Sequence, residues 1–213
     1  MPMIDCSSEI SKFHSSKVTL PKSEQVEMRD RRDAGRKRLQ KGLERDGVAL
    51  PCEQASQGSY AMRTMVQDPQ YDYDIDDGAY FERADLTDAS GTELTPLASR
   101  QMVCRALRQD ERLKHDAIIK ANCVRQPYPQ GYHIDIPVYR ILRDTDADGA
   151  DTVSYELASG DLWVASDARA VTGWFNGYVT QLNEGEADGS QLRRIVRLTK
   201  KFARSRLPWK ERT

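Results

Sequence analysis

Four aspartates lie within one six-residue segment, at Asp72, Asp74, Asp76 and Asp77. Tyr73 and Ile75 alternate with the acidic residues, which is the period of two typical of a β-strand. Asp74 and Asp76 then share one face, while Tyr73 and Ile75 point to the core. Two carboxylates on a half-buried face repel each other, so one of them takes up a proton unless a cation lies between them. Oxygen ligands favour hard divalent cations, so this strand predicts a site for Mg²⁺ or Mn²⁺.

A second strand, HIDIPVY at 133–139, carries another carboxylate on its polar face. Its apolar residues alternate towards the core and are Ile134, Ile136 and Val138. Asp135 points to the opposite face. If the two strands are neighbours, Asp135 completes a cluster of three carboxylates with Asp74 and Asp76. Such a cluster can hold two metal ions about 3.5–4 Å apart, the arrangement used for in-line phosphoryl or nucleotidyl transfer.

A glycine-serine pair, Gly58-Ser59, lies shortly before the acidic strand, at the predicted start of a short helix. Glycine has no side chain, so backbone N–H groups and the Ser59 hydroxyl can approach a phosphate there. The alternative is that Ser59 only caps the helix. The sequence therefore predicts a phosphate site beside the metal site.

The periodicity of the chain predicts an α+β domain with a mixed sheet. Predicted helices cover 24–46, 59–65, 96–113, 168–184 and 192–206, and predicted strands cover 73–81, 117–124, 132–142 and 152–157. In the last helix we expect the basic residues to form a solvated face, with phosphate contact as the alternative. Its residues Leu192, Ile195, Val196, Leu198, Thr199 and Phe202 are expected to face inward.

The composition argues against several classes of protein. The 213 residues include 32 Lys and Arg against 33 Asp and Glu, so the net charge of −1 predicts no stable complex with DNA and no attraction to a membrane surface. No apolar run has the length of a membrane span or of a signal peptide. The cysteines form no CxxC pair, which is typical of reduced thiols. These features predict a cytoplasmic protein.

Four motifs resemble one known family. They are QGSY at 57–60, DYDIDDGAYF at 72–81, YHIDIPVY at 132–139 and LWVASDARAVTGWF at 162–175. In this order they resemble the polymerase-β-type nucleotidyltransferases. The resemblance is narrower to the bacterial cGAS/DncV-like enzymes (CD-NTases), in the branch of the bacterial cyclic GMP-AMP synthase, and covers most of residues 23–210.

The resemblance implies an N-terminal segment at 1–22 and, at 23–213, a polymerase-β-like core in which helices, including a long N-terminal one, flank a mixed sheet. It implies that Asp74, Asp76 and Asp135 hold Mg²⁺ or Mn²⁺ and catalyse transfer. The nucleotide-binding residues it implies are Gln57, Gly58 and Ser59, with Gln57 and Ser59 touching the donor. It further implies that nucleoside triphosphates such as ATP or GTP are joined into a cyclic di- or trinucleotide. The resemblance also implies a role in anti-phage defence of the CBASS type, in which a downstream effector senses that product.

The family continues with a helical C-terminal lobe, which we expect to be absent from this chain. The first alternative is therefore a catalytic half that binds a nucleotide or partner but is inactive without that lobe or a partner chain. The second is a nucleotidyltransferase that acts on RNA or protein. A missing lobe predicts that apolar residues of the last helix, including Leu198 and Phe202, are only partly covered.

Overall fold

The computed structural model describes residues 5–69, 73–108, 113–182 and 190–206. Its helices are α1 (Ser7–Phe13), α2 (Lys22–Asp46), α3 (Gly58–Ala61), α4 (Pro96–Arg108), α5 (Ala168–Leu182) and α6 (Ser190–Arg204), with a π-helical turn at His14–Val18 and a 3₁₀ turn at Arg83–Asp85. Its strands are β1 (Glu53–Gln57), β2 (Asp74–Glu82), β3 (Ile118–Ile119), β4 (Val124–Pro127), β5 (His133–Ile136), β6 (Val138–Thr145), β7 (Asp151–Ser159) and β8 (Leu162–Ala165). Among these helices, none combines the length and apolar character needed to cross a bilayer.

The strands form one mixed eight-stranded sheet in the order β3-β4-β5-β2-β6-β7-β8, with β1 added on β2. β2 runs parallel to β5 and β6 in a single register, which pairs Asp76 with Asp135 and Ala79 with Val138. On its other edge β2 runs antiparallel to β1, and Gln57 lies opposite Asp76. The predicted α+β class with a mixed sheet is confirmed.

One face of the sheet forms the main core. Ile75 and Phe81 of β2 and Ile134 of β5 are buried there, as alternation predicted. The helices α2 and α4 cover this face with side chains that include Met28, Leu39, Leu43, Met102, Val103 and Leu107. The two helices cross closely, since a Cβ atom on Gly42 would lie 2.1 Å from the Ala106 carbonyl oxygen. The long predicted helix, α2, therefore packs on the core face of β2, opposite the face that carries Asp74 and Asp76.

Several element boundaries differ from the prediction. The predicted strand 132–142 is interrupted at Pro137, which has no N–H to donate, although the Pro137 carbonyl still accepts from Ala79 at 2.9 Å. The predicted strand 117–124 is two short strands, β3 and β4. The prediction missed β1, β8 and α1, whose sequences lack a clear apolar period. The predicted ends of two helices, at 109–112 and 183–184, lie outside the described residues. The division at residue 22 stays a prediction.

The packing of α6 differs in part from the prediction, because Leu192, Val196 and Leu198 are partly buried while Ile195, Thr199 and Phe202 are exposed. Its basic side chains donate to four backbone carbonyls of the 62–67 segment, in the pairs Arg193–Met62, Arg197–Arg63, Lys200–Thr64 and Lys201–Gln67. Ile195 and Phe202 are instead 49% and 50% exposed. The expectation of a solvated basic face was wrong because this irregular segment presents carbonyls that need donors. The expected partial cover of Leu198 and Phe202 is observed.

Candidate active site

The three predicted aspartates meet on the sheet face opposite α2. Asp74 and Asp76 begin β2, and the parallel register sets Asp74 beside His133 and Asp76 beside Asp135. Residues paired in this way point to the same face. The structure therefore brings Asp74, Asp76 and Asp135 together, while their catalytic role stays a prediction.

Asp135 is the most protected of the three carboxylates, and it has a cationic partner. Arg125 of β4 donates two hydrogen bonds to it, Nε to Oδ1 and Nη2 to Oδ2, both at 2.8 Å. This pair is bidentate, so Arg125 fixes the plane of the carboxylate as well as offsetting its charge. An ionised carboxylate has about four lone-pair sites, so Asp135 retains capacity for a further cation.

His133 is a candidate ligand that the sequence reasoning missed. It is 6% exposed, and its Nε2 atom has no hydrogen-bond partner among the described residues. That atom lies 3.6 Å from Asp74 Oδ2 and 3.9 Å from Asp135 Oδ2. One donor atom each from Asp74, His133 and Asp135 falls within a 4.8 Å cluster. A buried, unpaired nitrogen beside carboxylate oxygens fits a divalent cation. The position of His133 two residues before Asp135 was the available signal.

The electrostatics of the two β2 carboxylates differ. Burial and repulsion by Asp74 and Asp135 raise the pKa of Asp76 from its ordinary 3.8 to about 7. Burial also raises the pKa of Asp74. The hydrogen bond and charge of His133 and the charges of Arg125 and Lys200 outweigh burial, so the pKa of Asp74 is lowered overall. Like charges in a protected site thus leave one carboxyl partly protonated at neutral pH, the situation that a bound cation relieves.

We expect Asp76→Asn to stabilise the metal-free chain at alkaline pH. A carboxyl whose pKa rises on folding binds more protons in the folded state. It therefore lowers the free energy of unfolding as the pH increases from about 4 to about 7, and the loss is complete above that range. The variant should have a free energy of unfolding higher by on the order of 2 kcal/mol at pH 8, since one pKa unit is worth about 1.4 kcal/mol and solvent reduces the full effect.

Denaturant unfolding in EDTA at pH 4 and pH 8 measures this difference. The gain should vanish at pH 4, and the exposed hairpin variant Asp148→Asn should show no comparable change. Equal stabilities of Asp76→Asn and the unaltered chain at pH 8 would mean that the three carboxylates do not repel each other strongly.

The Gly58-Ser59 turn lies directly against Asp76. Gly58 has a left-handed φ of 63°, and a Cβ atom there would lie 2.3 Å from Asp76 Oδ2. Glycine is thus required twice, by the backbone conformation and by the close approach. α3 begins at Gly58 with Gln57 in the N-cap position and no side-chain cap bond, so Ser59 is not the cap. In the described part of the chain, no hydrogen bond engages the Ser59 hydroxyl.

Gln57 is placed on the same face but is already hydrogen-bonded. It is buried, its Nε2 donates to the Tyr139 hydroxyl at 3.0 Å, and its Oε1 accepts from the Tyr80 hydroxyl at 3.2 Å. The rings of Tyr80 and Tyr139 stack with centroids 4.5 Å apart. A contact from Gln57 to a nucleotide stays a prediction, and it would require exchange of these bonds.

The other acidic residues of the motif do not join the cluster. Asp77 points to the opposite face, where Arg36 of α2 donates from Nε at 2.7 Å and Ser56 donates at 2.9 Å. It ties the long helix to β2. Asp72 lies outside the described residues. Lys200 of α6 is the additional cation near this face: burial and Arg204 lower its pKa, while Asp74 and Asp76 act in the opposite direction.

One protein family is similar to the part of the chain that carries this arrangement. The family model described as cyclic GMP-AMP synthase DncV-like, nucleotidyltransferase domain, matches residues 52–139. That range contains β1, the glycine-serine turn and all three aspartates.

Solved structures with the same fold come from several bacteria. CdnC of E. coli MS115-1, solved with ATP, is 18% identical with a TM-score of 0.64, over 93% of this chain and 57% of CdnC. CdnG of Bradyrhizobium diazoefficiens, solved with GTP, is 19% identical with a TM-score of 0.60, over 86% and 53%. DncV of Vibrio cholerae in its apo form is 18% identical with a TM-score of 0.59, over 89% and 63%. The chain thus spans between about half and two thirds of their lengths.

Proposed function

We propose that the chain contains a nucleotidyltransferase domain of the cGAS/DncV-like family, and that its acidic face is the catalytic centre of an enzyme that joins nucleoside triphosphates with release of pyrophosphate. The observation that carries the proposal is the cluster of Asp74, Asp76 and Asp135 beside the Gly58-Ser59 turn. This arrangement would place a cation site beside a phosphate site on one face of the sheet.

Each group of residues at the acidic face would have a different role. Asp74, Asp76 and Asp135 would hold divalent cations, Mg²⁺ or Mn²⁺, and the orphaned His133 nitrogen is suitably placed to add a ligand. Bound cations supply charge neutralisation for the triphosphate and a lowered pKa for the attacking hydroxyl. Arg125 keeps the Asp135 carboxylate in one orientation. Lys200 adds positive charge on the side of α6.

The Gly58-Ser59 turn would hold the donor triphosphate. Its hydroxyl is without a partner in the described structure, and its glycine lets a phosphate approach the backbone. A phosphate oxygen held here would lie next to Asp76, and so beside the carboxylates that would hold the cations. Orientation of the reacting groups in this way accounts for a large part of catalysis in phosphoryl transfer.

Ser59→Ala should weaken binding of the donor triphosphate by about 1 kcal/mol, the value of one ordinary hydrogen bond, or somewhat more for a charged phosphate. The fold should be unchanged because Gly58 still shapes the turn. Calorimetric titration with Mg²⁺ and ATP or GTP measures the effect, and Ser154→Ala on exposed β7 is the matched control. Unchanged affinity in Ser59→Ala would remove Ser59 from the donor site.

We further propose that the product is a cyclic di- or trinucleotide that acts as a signal in anti-phage defence of the CBASS type, in the cytoplasm, through a separate effector. The family description, which names a cyclic GMP-AMP synthase, supports the cyclic product. The nucleotides in the CdnC and CdnG structures, ATP and GTP, support these substrates.

Mass spectrometry of products tests the proposal. The chain, alone and with any covering lobe, is incubated with all four nucleoside triphosphates and either Mg²⁺ or Mn²⁺. The expected product is resistant to phosphatase because a ring has no terminal phosphate. Linear products, or label transferred to added RNA or protein, would support the alternative of a nucleotidyltransferase that modifies a macromolecule.

A further inference from the structure

A basic cavity lies on the α2 side of the glycine-serine turn, away from the carboxylates. It has a volume of about 590 Å³ and is lined by α2, by residues 60–65 and by α6. Tyr60, which lines the cavity, contacts α2: the centre of its ring lies 5.4 Å from the guanidinium carbon of Arg32. α2 packs on the sheet face opposite Asp74 and Asp76, so this cavity is not the nucleotidyltransferase site.

The charged side chains that line the cavity are all positive. Its lining contains four cations and, among the residues that the structure describes, no carboxylate; the cations are Lys22, Arg29, Arg63 and Arg197. The whole chain is almost neutral, so such a set does not follow from the composition. Apolar side chains complete the wall, among them Leu20, Tyr60 and Met65. Cations beside an aromatic ring and apolar groups are suited to a ligand with both phosphates and a base.

Arg63 provides an independent observation. Its φ of 57° is left-handed, and no other non-glycine residue in the described ranges has a positive φ. A residue with a Cβ atom rarely adopts this conformation, and such residues concentrate at ligand-binding positions. The backbone carbonyl of Arg63 accepts from Arg197 Nη1 at 2.6 Å, so this hydrogen bond holds Arg197 of α6 against the Arg63 backbone at the cavity wall.

We propose that the basic cavity is a second binding site, for a nucleotide-sized phosphorylated ligand, that does not depend on a metal ion. Its volume lies within the usual range for small-molecule sites, about 300–1,000 Å³. Its wall includes Tyr60 and Ala61, which directly follow Ser59, and Arg197, one helical turn before Lys200. A ligand bound there contacts both elements that border the acidic site.

Calorimetric titration of the chain with ATP in EDTA tests the site. Without a metal ion the unneutralised carboxylates repel ATP from the acidic face, so the titration reports the cavity and needs no turnover. We expect saturable binding that Arg63→Gly and Arg29→Gln each weaken about tenfold, as for loss of one charge-assisted hydrogen bond. Arg63→Gly removes the cation while glycine adopts the left-handed backbone freely.

Two control variants test whether ATP binds at this cavity, and a second probe tests whether the site requires a base. Arg45→Gln, also on α2 but outside the cavity, and Ser154→Ala on exposed β7 should bind ATP as the unaltered chain does. Inorganic tripolyphosphate should bind more weakly than ATP because it lacks a base. Absence of binding, or binding weakened by Ser59→Ala and not by Arg63→Gly, would overturn the proposal. Equal affinity for tripolyphosphate would overturn the assignment to a nucleotide. Absence of binding in EDTA would count against the basic cavity alone, because the acidic site is tested with Mg²⁺.

Discussion

Replacement of both Asp74 and Asp76 by asparagine is expected to reduce nucleotidyl transfer by about a thousandfold or more, since bound cations supply several kcal/mol of transition-state stabilisation. The chain should remain folded, because asparagine has nearly the same volume and the core side of β2 is unchanged. The measurement is the initial rate of pyrophosphate release, in an active form of the protein, together with far-UV circular dichroism.

The control for this experiment is a pair of exposed aspartates outside the cluster. Asp144→Asn with Asp148→Asn, on the hairpin between β6 and β7, removes the same charge and should leave the rate unchanged. Calorimetric titration with Mn²⁺ separates loss of the metal site from loss of another step. A double variant of Asp74 and Asp76 that still makes product at the unaltered rate would show that the metal assignment is wrong.

The acidic face could be predicted because it depends on local alternation. Strand periodicity alone sets Asp74 and Asp76 on one face and Asp135 on the polar face of its own strand. The proximity of the two strands was an assumption that the register of β2 with β5 supports. The same alternation applies to His133, so its presence on the acidic face was also accessible from the sequence.

Other features depend on distant packing and could not be predicted. The hydrogen bonds of Gln57 require the stack of Tyr80 on Tyr139, which are brought together only by the parallel pairing of β2 with β6. The bidentate contact of Arg125 with Asp135 requires that β4 lie beside β5. The contact of the basic side chains of α6 with the chain depends on the backbone carbonyls of 62–67, which accept hydrogen bonds from them. Amphipathic periodicity shows that a helix has two faces, but not which one finds a partner.

The outer surface of α5 and α6 exposes several large apolar side chains. They include Trp174, exposed at 63%, and Phe202, exposed at 50%, together with Val171, Tyr178, Leu182 and Ile195. A group of large apolar residues on neighbouring helices is typical of an interaction surface. We propose that a further lobe, in the same chain or in a partner, covers this surface and closes the acidic cleft.

Adding such a lobe, in cis or in trans, is expected to raise turnover by roughly a hundredfold or more, because a one-sided cleft leaves the base and ribose in water and the reacting groups poorly oriented. The assay compares residues 1–213 with and without candidate segments encoded next to them. Trp174→Glu should prevent the stimulation by introducing a charge into the contact, while Leu162→Glu, at an equally exposed apolar position on β8 (69%), should not. Residual activity without the lobe should be the same in both variants, since neither residue touches the carboxylates. Full-rate synthesis of a cyclic product by a monomer of residues 1–213 would refute the requirement, and would mean that α5 and α6 already close the cleft sufficiently.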